Sequence, residues 1–243
     1  MQLFFLWVFA FFLCTGCSRD TGKSYKIAFD PLWYPWNFQE KTPQVLGFST
    51  ELLTLIAQEE RLSLSLMQVN WDDLLDAVET NTCQGALSAL FPYNFYDNHY
   101  RFSHVYLPLG PVLLVPYTSS WTSLQDLSGK EVGIINGSSA LLIAKSSPSI
   151  SIRSFDTESA LINDFLQGKI DAALLPVLSA TIYTEGTFAR EFKIVTAPLN
   201  TDGLRLLTQK DGDLVKKFDR ALLHLQKQGS YQKLLQKWDL SHD

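Results

Sequence analysis

The sequence is poor in residues that usually mark catalysis or metal binding. It holds three cysteines, two methionines and four histidines in 243 residues. His99, His104, His224 and His242 show no metal-ligand or catalytic spacing, and neither a Gly-x-Ser-x-Gly turn nor a Cys–His constellation occurs. No metal and no cofactor is expected. Asp72, Asp73 and Asp76 read as the solvated face of a helix. Long runs of one charge sign are also missing. Acidic and basic residues are mixed along the chain, to a net charge of -5, and nothing suggests the basic face that a nucleic-acid backbone would need. Neither a short-period repeat nor a low-complexity segment is present. Apolar residues make up 46% of the chain, enough for one large domain or two small lobes with real cores.

The N-terminus differs from the rest. Leu3 to Leu13 is an unbroken apolar run, LFFLWVFAFFL, too short for a bilayer-spanning helix but suited to the apolar region of a signal peptide. It leads into Cys14-Thr15-Gly16-Cys17, which resembles a bacterial lipobox, although no Lys or Arg precedes the run and Cys14 stands where an aliphatic residue is usual. Residues 1–16 are read as a signal peptide, Cys17 as a lipidated first residue and residues 17–23 as a polar tether. An ordinary cleaved signal and a buried N-terminal helix are the alternatives. On the first reading only Cys83 remains as a thiol, which rules out an intrachain disulfide and leaves Cys83 as a small buried hydrophobe. One acyl chain holds a protein only weakly, so stable anchoring requires several.

Downstream, Tyr25–Asp30 reads as a strand that enters an aromatic loop, and a helix begins near Ser49. Leu62, Leu64 and Leu66 alternate with serines, as in a strand. Asn70 is placed to cap a helix whose buried stripe is Trp71, Leu74, Leu75 and Val78. Gly85–Leu90 is the next strand. The pattern then restarts, with strands at 132–135, 150–155 and 170–175 and helices at 137–145 and 158–166. Two helices close the chain, the first over 213–228. Two βαβ units of similar size predict parallel sheets covered by helices, in two lobes with a cleft between them.

Several segments carry a more specific likeness. WYPWNF (33–38), GFSTELLTLIA (47–57), NWDDLLDAVETN (70–81), FSHVY (102–106), LQDLSGKEVGIINGSS (124–139) and GKIDAALL (168–175) follow one another in the order found in one family. In these the chain resembles the family 3 extracytoplasmic solute-binding proteins, the polar amino acid-binding class that serves ABC importers. The resemblance implies an α/β, two-lobed periplasmic-binding-protein-like (type II) fold with a hinged cleft. Lobe 1 would comprise residues 24–109 and 203–243, lobe 2 residues 110–202, and hinge strands would lie near 110–116 and 197–203. It further implies a periplasmic, membrane-anchored monomer that closes over a small solute and offers it to an ABC permease in the inner membrane.

Carried over residue by residue, the likeness places Asp30, Trp33, Trp71, Ser88, Asn136, Ser138 and Ser139 at the ligand, and Trp36, Phe91, Tyr93 and Tyr96 are read beside them as aromatic walls of the same cleft. Trp33 and Trp71 match the two rings that sandwich it, and residues 136–139 match a strand-to-helix turn suited to an anion. Core packing is the alternative for the tryptophans, and helix capping for Ser138 and Ser139. Two family features are absent. The arginine that grips a ligand carboxylate falls on Tyr96, and the acid that holds its ammonium falls on Pro176. Removing one partner of a buried charge pair costs about 2–5 kcal/mol, roughly 30- to 4,000-fold in affinity. A ligand other than a standard free α-amino acid is therefore expected: an amino-acid derivative, an amine, a small peptide-like solute or a neutral metabolite. Two alternatives accompany this reading, a ligand sensor or partner-binding lipoprotein without a transport role, and a small-molecule dehydratase on the same fold.

Overall fold

The computed structural model describes residues 23–241 except 35, 37, 148 and 187. The expected signal peptide, Cys17 and nearly all of the tether lie outside the described residues.

Strands β1 (Ser24–Phe29), β2 (Ser63–Gln68), β3 (Gly85–Ser88), β4 (Tyr100–Phe102), β5 (Leu107–Pro108) and β11 (Gly203–Gln209) form one sheet. Its order is β2-β1-β3-β11-β4, with β5 also pairing β11. β1 runs parallel to β2 and β3, whereas β11 is antiparallel to β3. A second sheet has the order β10-β6-β9-β7-β8. It is built from β6 (Pro111–Pro116), β7 (Glu131–Ile135), β8 (Ser151–Phe155), β9 (Ala172–Pro176) and β10 (Phe192–Ile194). Here β7, β8 and β9 are parallel and β6 runs against β9. The chain crosses between the sheets twice, through residues 109–110 and 195–202.

Helices cover both sheets. Alternation along the strands explains how: Ile27, Phe29, Leu87, Leu204 and Leu206 share a core with α1 (Thr42–Glu60), α6 (Leu214–Lys227) and α7 (Ser230–Lys237). Ala28, Ala86 and Leu207 point the other way, onto α2 (Leu74–Glu79). On the second sheet, α3 (Ala140–Lys145) adjoins Leu113, Val132 and Ile134, while α4 (Glu158–Leu166) and α5 (Val177–Glu185) bury Leu161, Phe165 and Leu178. In α6, Leu214, Phe218, Leu222 and Leu225 are buried on one face, at the spacing read from the sequence.

Some boundaries differ from the expectation. α1 begins at Thr42, not Ser49, because Pro43 fits the first turn and Gly47 sits inside the helix under the Trp238 ring. A Cβ at Gly47 would lie 2.1 Å from that ring. Trp71–Asp73 is a 3-10 turn ahead of α2, Asn70 makes no side-chain cap hydrogen bond, and Trp71 is half-buried, packed with Leu75 against the cluster that holds Leu74 and Val78. The helix expected from Gly137 begins at Ala140. Pro111–Pro116 is an interior strand of the second sheet rather than a free connector, so the first crossing is only two residues long. The pattern gave no sign of α5, whose buried residues run consecutively from Val177 to Thr181 and leave no amphipathic stripe.

The topology fixes where polar groups collect. The carboxyl ends of β1 and β3 and the start of antiparallel β11 share one edge of the first sheet. The carboxyl ends of β7, β8 and β9 and the start of β6 share one edge of the second. The crossing segments bind each other there: the Leu109 N–H donates to Asp202 O and the Leu199 N–H to Pro111 O, both at 2.9 Å. Gly110 and Gly203 permit this approach. A Cβ would lie 2.4 Å from Asn200 Oδ1 at the first and 2.5 Å from Leu107 O at the second.

Candidate functional site

Carboxyl-terminal strand edges are where open α/β sheets bind ligands. Most of the residues singled out in the sequence lie on these two edges. On the first sheet, Asp30 follows β1 and is 6% exposed. Its carboxylate accepts the N–H of Leu32 at 3.1 Å and of Tyr34 at 2.9 Å, which ties the aromatic loop back onto the strand end. Ser88 ends β3, buried, with its Oγ accepting the Leu90 N–H.

The loop does not present its tryptophans as expected. Trp33 adopts the left-handed conformation (φ 55°), which turns its ring into the core, 3% exposed, between Phe29 and Phe38. Its indole N–H finds no partner among the described residues. Buried this way it offers no face to a ligand opposite Trp71, and the ring that meets Trp71, at 5.2 Å, is the 57%-exposed Tyr34. Trp36, half-buried, instead lines a cavity of about 140 Å³ with Phe38 and Leu109.

Beyond Ser88 the aromatic run forms a continuous ladder. Phe91, Tyr93, Phe95 and Tyr96 follow ring on ring at 5.0, 5.6 and 4.3 Å, and Tyr96 then meets Tyr100 and Phe102. Tyr96 is thus part of an aromatic wall. Tyr100 donates to Glu79 and is held protonated, first by burial and then by that carboxylate.

On the second sheet, Asn136, Ser138 and Ser139 follow β7. The expected anion-binding helix end is not formed: α3 is a six-residue helix, and the polar side chains are engaged locally. Asn136 donates to Asp156, Ser138 donates to Ile135 O, and Ser139 Oγ accepts Asn200 Nδ2 at 3.1 Å. That last bond joins the turn to the crossing segment. Pro176 ends β9 and faces the same cavity as Trp36, but an acid does reach this place: Glu158, at the start of α4, lines the cavity and accepts the Ser179 hydroxyl at 2.9 Å. Tyr183 beside it is kept protonated mainly by burial, with Glu158 adding to the effect.

Two features escaped the sequence reading. One is Glu158. The other is Arg205, a 6%-exposed guanidinium paired in register with Ser88 and set against the Phe91 ring at 5.8 Å. The edge was expected to lack a buried guanidinium, and it has one. A charge within the otherwise apolar stretch GLRLL was the available signal, because Arg is almost never fully buried without a partner. Among the described residues no group of His, Cys, Asp or Glu is placed to hold a metal ion. A cavity of about 700 Å³ lies between α5, β10 and α7, and none of the expected site residues lines it.

Comparison with known proteins agrees with this architecture. Over 237 residues the chain is 26% identical to the arginine-binding extracellular protein ArtP of Bacillus subtilis, covering 93% of this chain and 92% of ArtP. The L-cystine solute receptor of Neisseria gonorrhoeae, solved unliganded and open, superposes with a TM-score of 0.72 at 18% identity, over 90% of this chain and 94% of the receptor. The second substrate-binding domain of a putative amino acid ABC transporter of Streptococcus pneumoniae gives a TM-score of 0.69 at 22% identity, over 88% and 99%. The two-lobed periplasmic-binding-protein fold is therefore established. The model of the bacterial extracellular solute-binding proteins, family 3, spans residues 25–241, and to that family of binding proteins the chain belongs.

Proposed function

We propose that this chain captures a small amino-acid-like solute outside the cytoplasm and delivers it to an ABC importer. The observation that carries the reading is the meeting of two carboxyl-terminal strand edges, rich in aromatic and polar groups, across two short crossing segments. Residues 24–109 and 203–243 act as one lobe, residues 110–202 as the other, and bending at 109–110 and 195–202 closes them over the solute. The first lobe presents Asp30, Ser88, Trp71 and the Phe91–Tyr96 ladder. The second presents Asn136, Ser139 and Glu158. The pocket is atypical in carrying Tyr96 and Pro176 at the two positions where the family's charged clamps stand. Cys17 carries the lipid that holds the chain at the outer face of the inner membrane, and the chain works there as a monomer.

Thermal unfolding against amino acids, amines, small peptides and organic acids tests the reading. A solute at 100 times its Kd stabilises the folded state by about 2.7 kcal/mol. For a chain of this size that raises Tm by roughly 5–11 °C. A flat response to every class refutes solute capture and favours a partner-binding lipoprotein. Loss of membrane association in Cys17→Ala tests the anchor.

A further inference from the structure

Arg205 is a buried charge with no counter-charge of its own. Among the described residues no carboxylate lies within salt-bridge distance of its guanidinium. Nη2 donates to Thr201 O at 2.6 Å, and Nη1 has only a long contact of 3.4 Å to Gly203 O. A guanidinium carries five N–H groups, so much of its donor capacity is unused. Asp202 attracts it, but the Asp202 carboxylate accepts Asn200 Nδ2 at 2.8 Å instead. Burial works against the charge and pushes the pKa of Arg205 down. Burying an unpaired charge is expensive, and proteins do so where a partner arrives.

Its position says where that partner would come from. Arg205 is the Cα partner of Ser88 in the antiparallel β3–β11 pair, so the two side chains share a face of the sheet. Ala28 and Ala86 are partners two residues before Asp30 and Ser88, so Asp30 continues the same row on the next strand. The first sheet thus ends in a row of three buried polar side chains, Asp30, Ser88 and Arg205. Its acid and its guanidinium stand on either side of the serine, and no ion pair joins them. The Phe91 ring lies 5.8 Å from the guanidinium carbon, and the Asn200–Ser139 bond brings the second lobe to the neighbouring crossing segment.

We propose that Arg205 is the anion-binding group of this cleft and that the solute it receives carries a carboxylate. The grip that Tyr96 cannot supply comes from a different strand, so loss of the family's arginine does not imply a ligand without a carboxylate. The inference rests on the solute-capture reading above, and it names the ligand class that reading leaves open. The rival role is structural, with Arg205 only pinning the carbonyls of Thr201 and Gly203.

Titration calorimetry on the purified full chain separates these roles. The probes are L-arginine, L-cystine, N-acetyl-L-phenylalanine and glycyl-L-phenylalanine, each compared with its carboxamide, together with agmatine and cystamine as carboxylate-free amines. At least one acid is expected to bind about 30-fold or more tightly than its amide. In Arg205→Ala that preference disappears because acid binding weakens far more than amide binding, and Arg205→Lys retains part of it. The wild-type acid-to-amide ratio needs no variant, so it tests the ligand's carboxylate even if Arg205→Ala fails to fold, and an undiminished preference in Arg205→Lys then overturns the role of the residue. Binding of amides or amines with no preference for the acids overturns this inference and leaves solute capture standing, as does an acid preference that survives in Arg205→Ala. Failure of every probe and of the whole solute panel sinks both.

Discussion

The carboxylate of Asp30 does structural work that can be measured apart from any solute. Its two oxygens hold the N–H groups of Leu32 and Tyr34 and so close the loop that carries Trp33 into the core. A hydrogen bond to a charged group contributes about 1.5–3 kcal/mol net. Leu32 and Tyr34 are exposed, so water compensates in part and the lower figure applies to each bond. Asp30→Ala should then cost about 3 kcal/mol, and Asp30→Asn, which keeps one acceptor and turns an N–H₂ toward the other amide, about half of that. At roughly 2–4 °C per kcal/mol for a chain of this length, Tm should fall by about 6–12 °C in the alanine variant and about 3–6 °C in the asparagine variant. Calorimetric unfolding at neutral pH without solute measures both, and tryptophan emission should shift to the red as Trp33 loosens. Equal Tm in all three proteins would refute the reasoning, and so would an asparagine variant as damaged as the alanine one, because the graded loss follows from counting acceptors.

Two further outcomes follow from contacts away from the cleft. In Gly47→Ala the new methyl meets the Trp238 ring at 2.1 Å, so the ring must leave its seat on α1; overpacking of about 1–3 kcal/mol should lower Tm and expose Trp238 to an aqueous quencher. Asp213 is held at about 2, below its ordinary 3.8, chiefly by the Lys217 ammonium at 2.9 Å and also by the Tyr25 hydroxyl. A carboxyl whose pKa is depressed on folding gives stability that is complete above its unfolded value and is lost as pH falls through the folded one. The urea midpoint should therefore decline as pH falls from 3.8 toward 2, and Asp213→Asn should flatten that part of the curve. Asp213 is mostly exposed, so the effect is small, and an unchanged slope would show that Lys217 does not hold it in solution.

Elements with one dry face and one wet face were legible in the sequence. Leu62, Leu64 and Leu66 alternate with polar residues, and the strand Ser63–Gln68 forms within a residue of where the alternation begins. Glu158–Leu166 appears with the bounds read from its stripe and the glycine behind it. Periodicity vanishes where an element is buried all round. Val177–Thr181 in α5 and Val112–Val115 in β6 are continuous buried runs, and burial that does not alternate leaves no period to read. Gly47 lies inside α1 rather than ahead of it, where its missing Cβ admits a tryptophan from 191 residues downstream.

The binding site was legible only where it depends on residues close together in the chain. Asp30, Ser88 and Asn136 stand directly after strands, and a motif read along the chain locates such positions without knowing the fold. Carrying a charged clamp over by motif assumes that the group must come from the same loop. Electrostatics imposes no such condition, because a guanidinium acts through its distance and burial whatever strand carries it. Arg205 lies 117 residues after Ser88 and reaches it only because β11 inserts antiparallel beside β3, a pairing fixed by Leu206 opposite Leu87 and Leu207 opposite Ala86. Glu158 likewise shares a cavity with Pro176 because α4 begins at the edge where β9 ends. A family position that has lost its charge is thus weak grounds for a neutral pocket. The stronger test is whether the folded edge contains a buried charge that no salt bridge answers, and by that test, among the described residues, the first sheet carries one at Arg205.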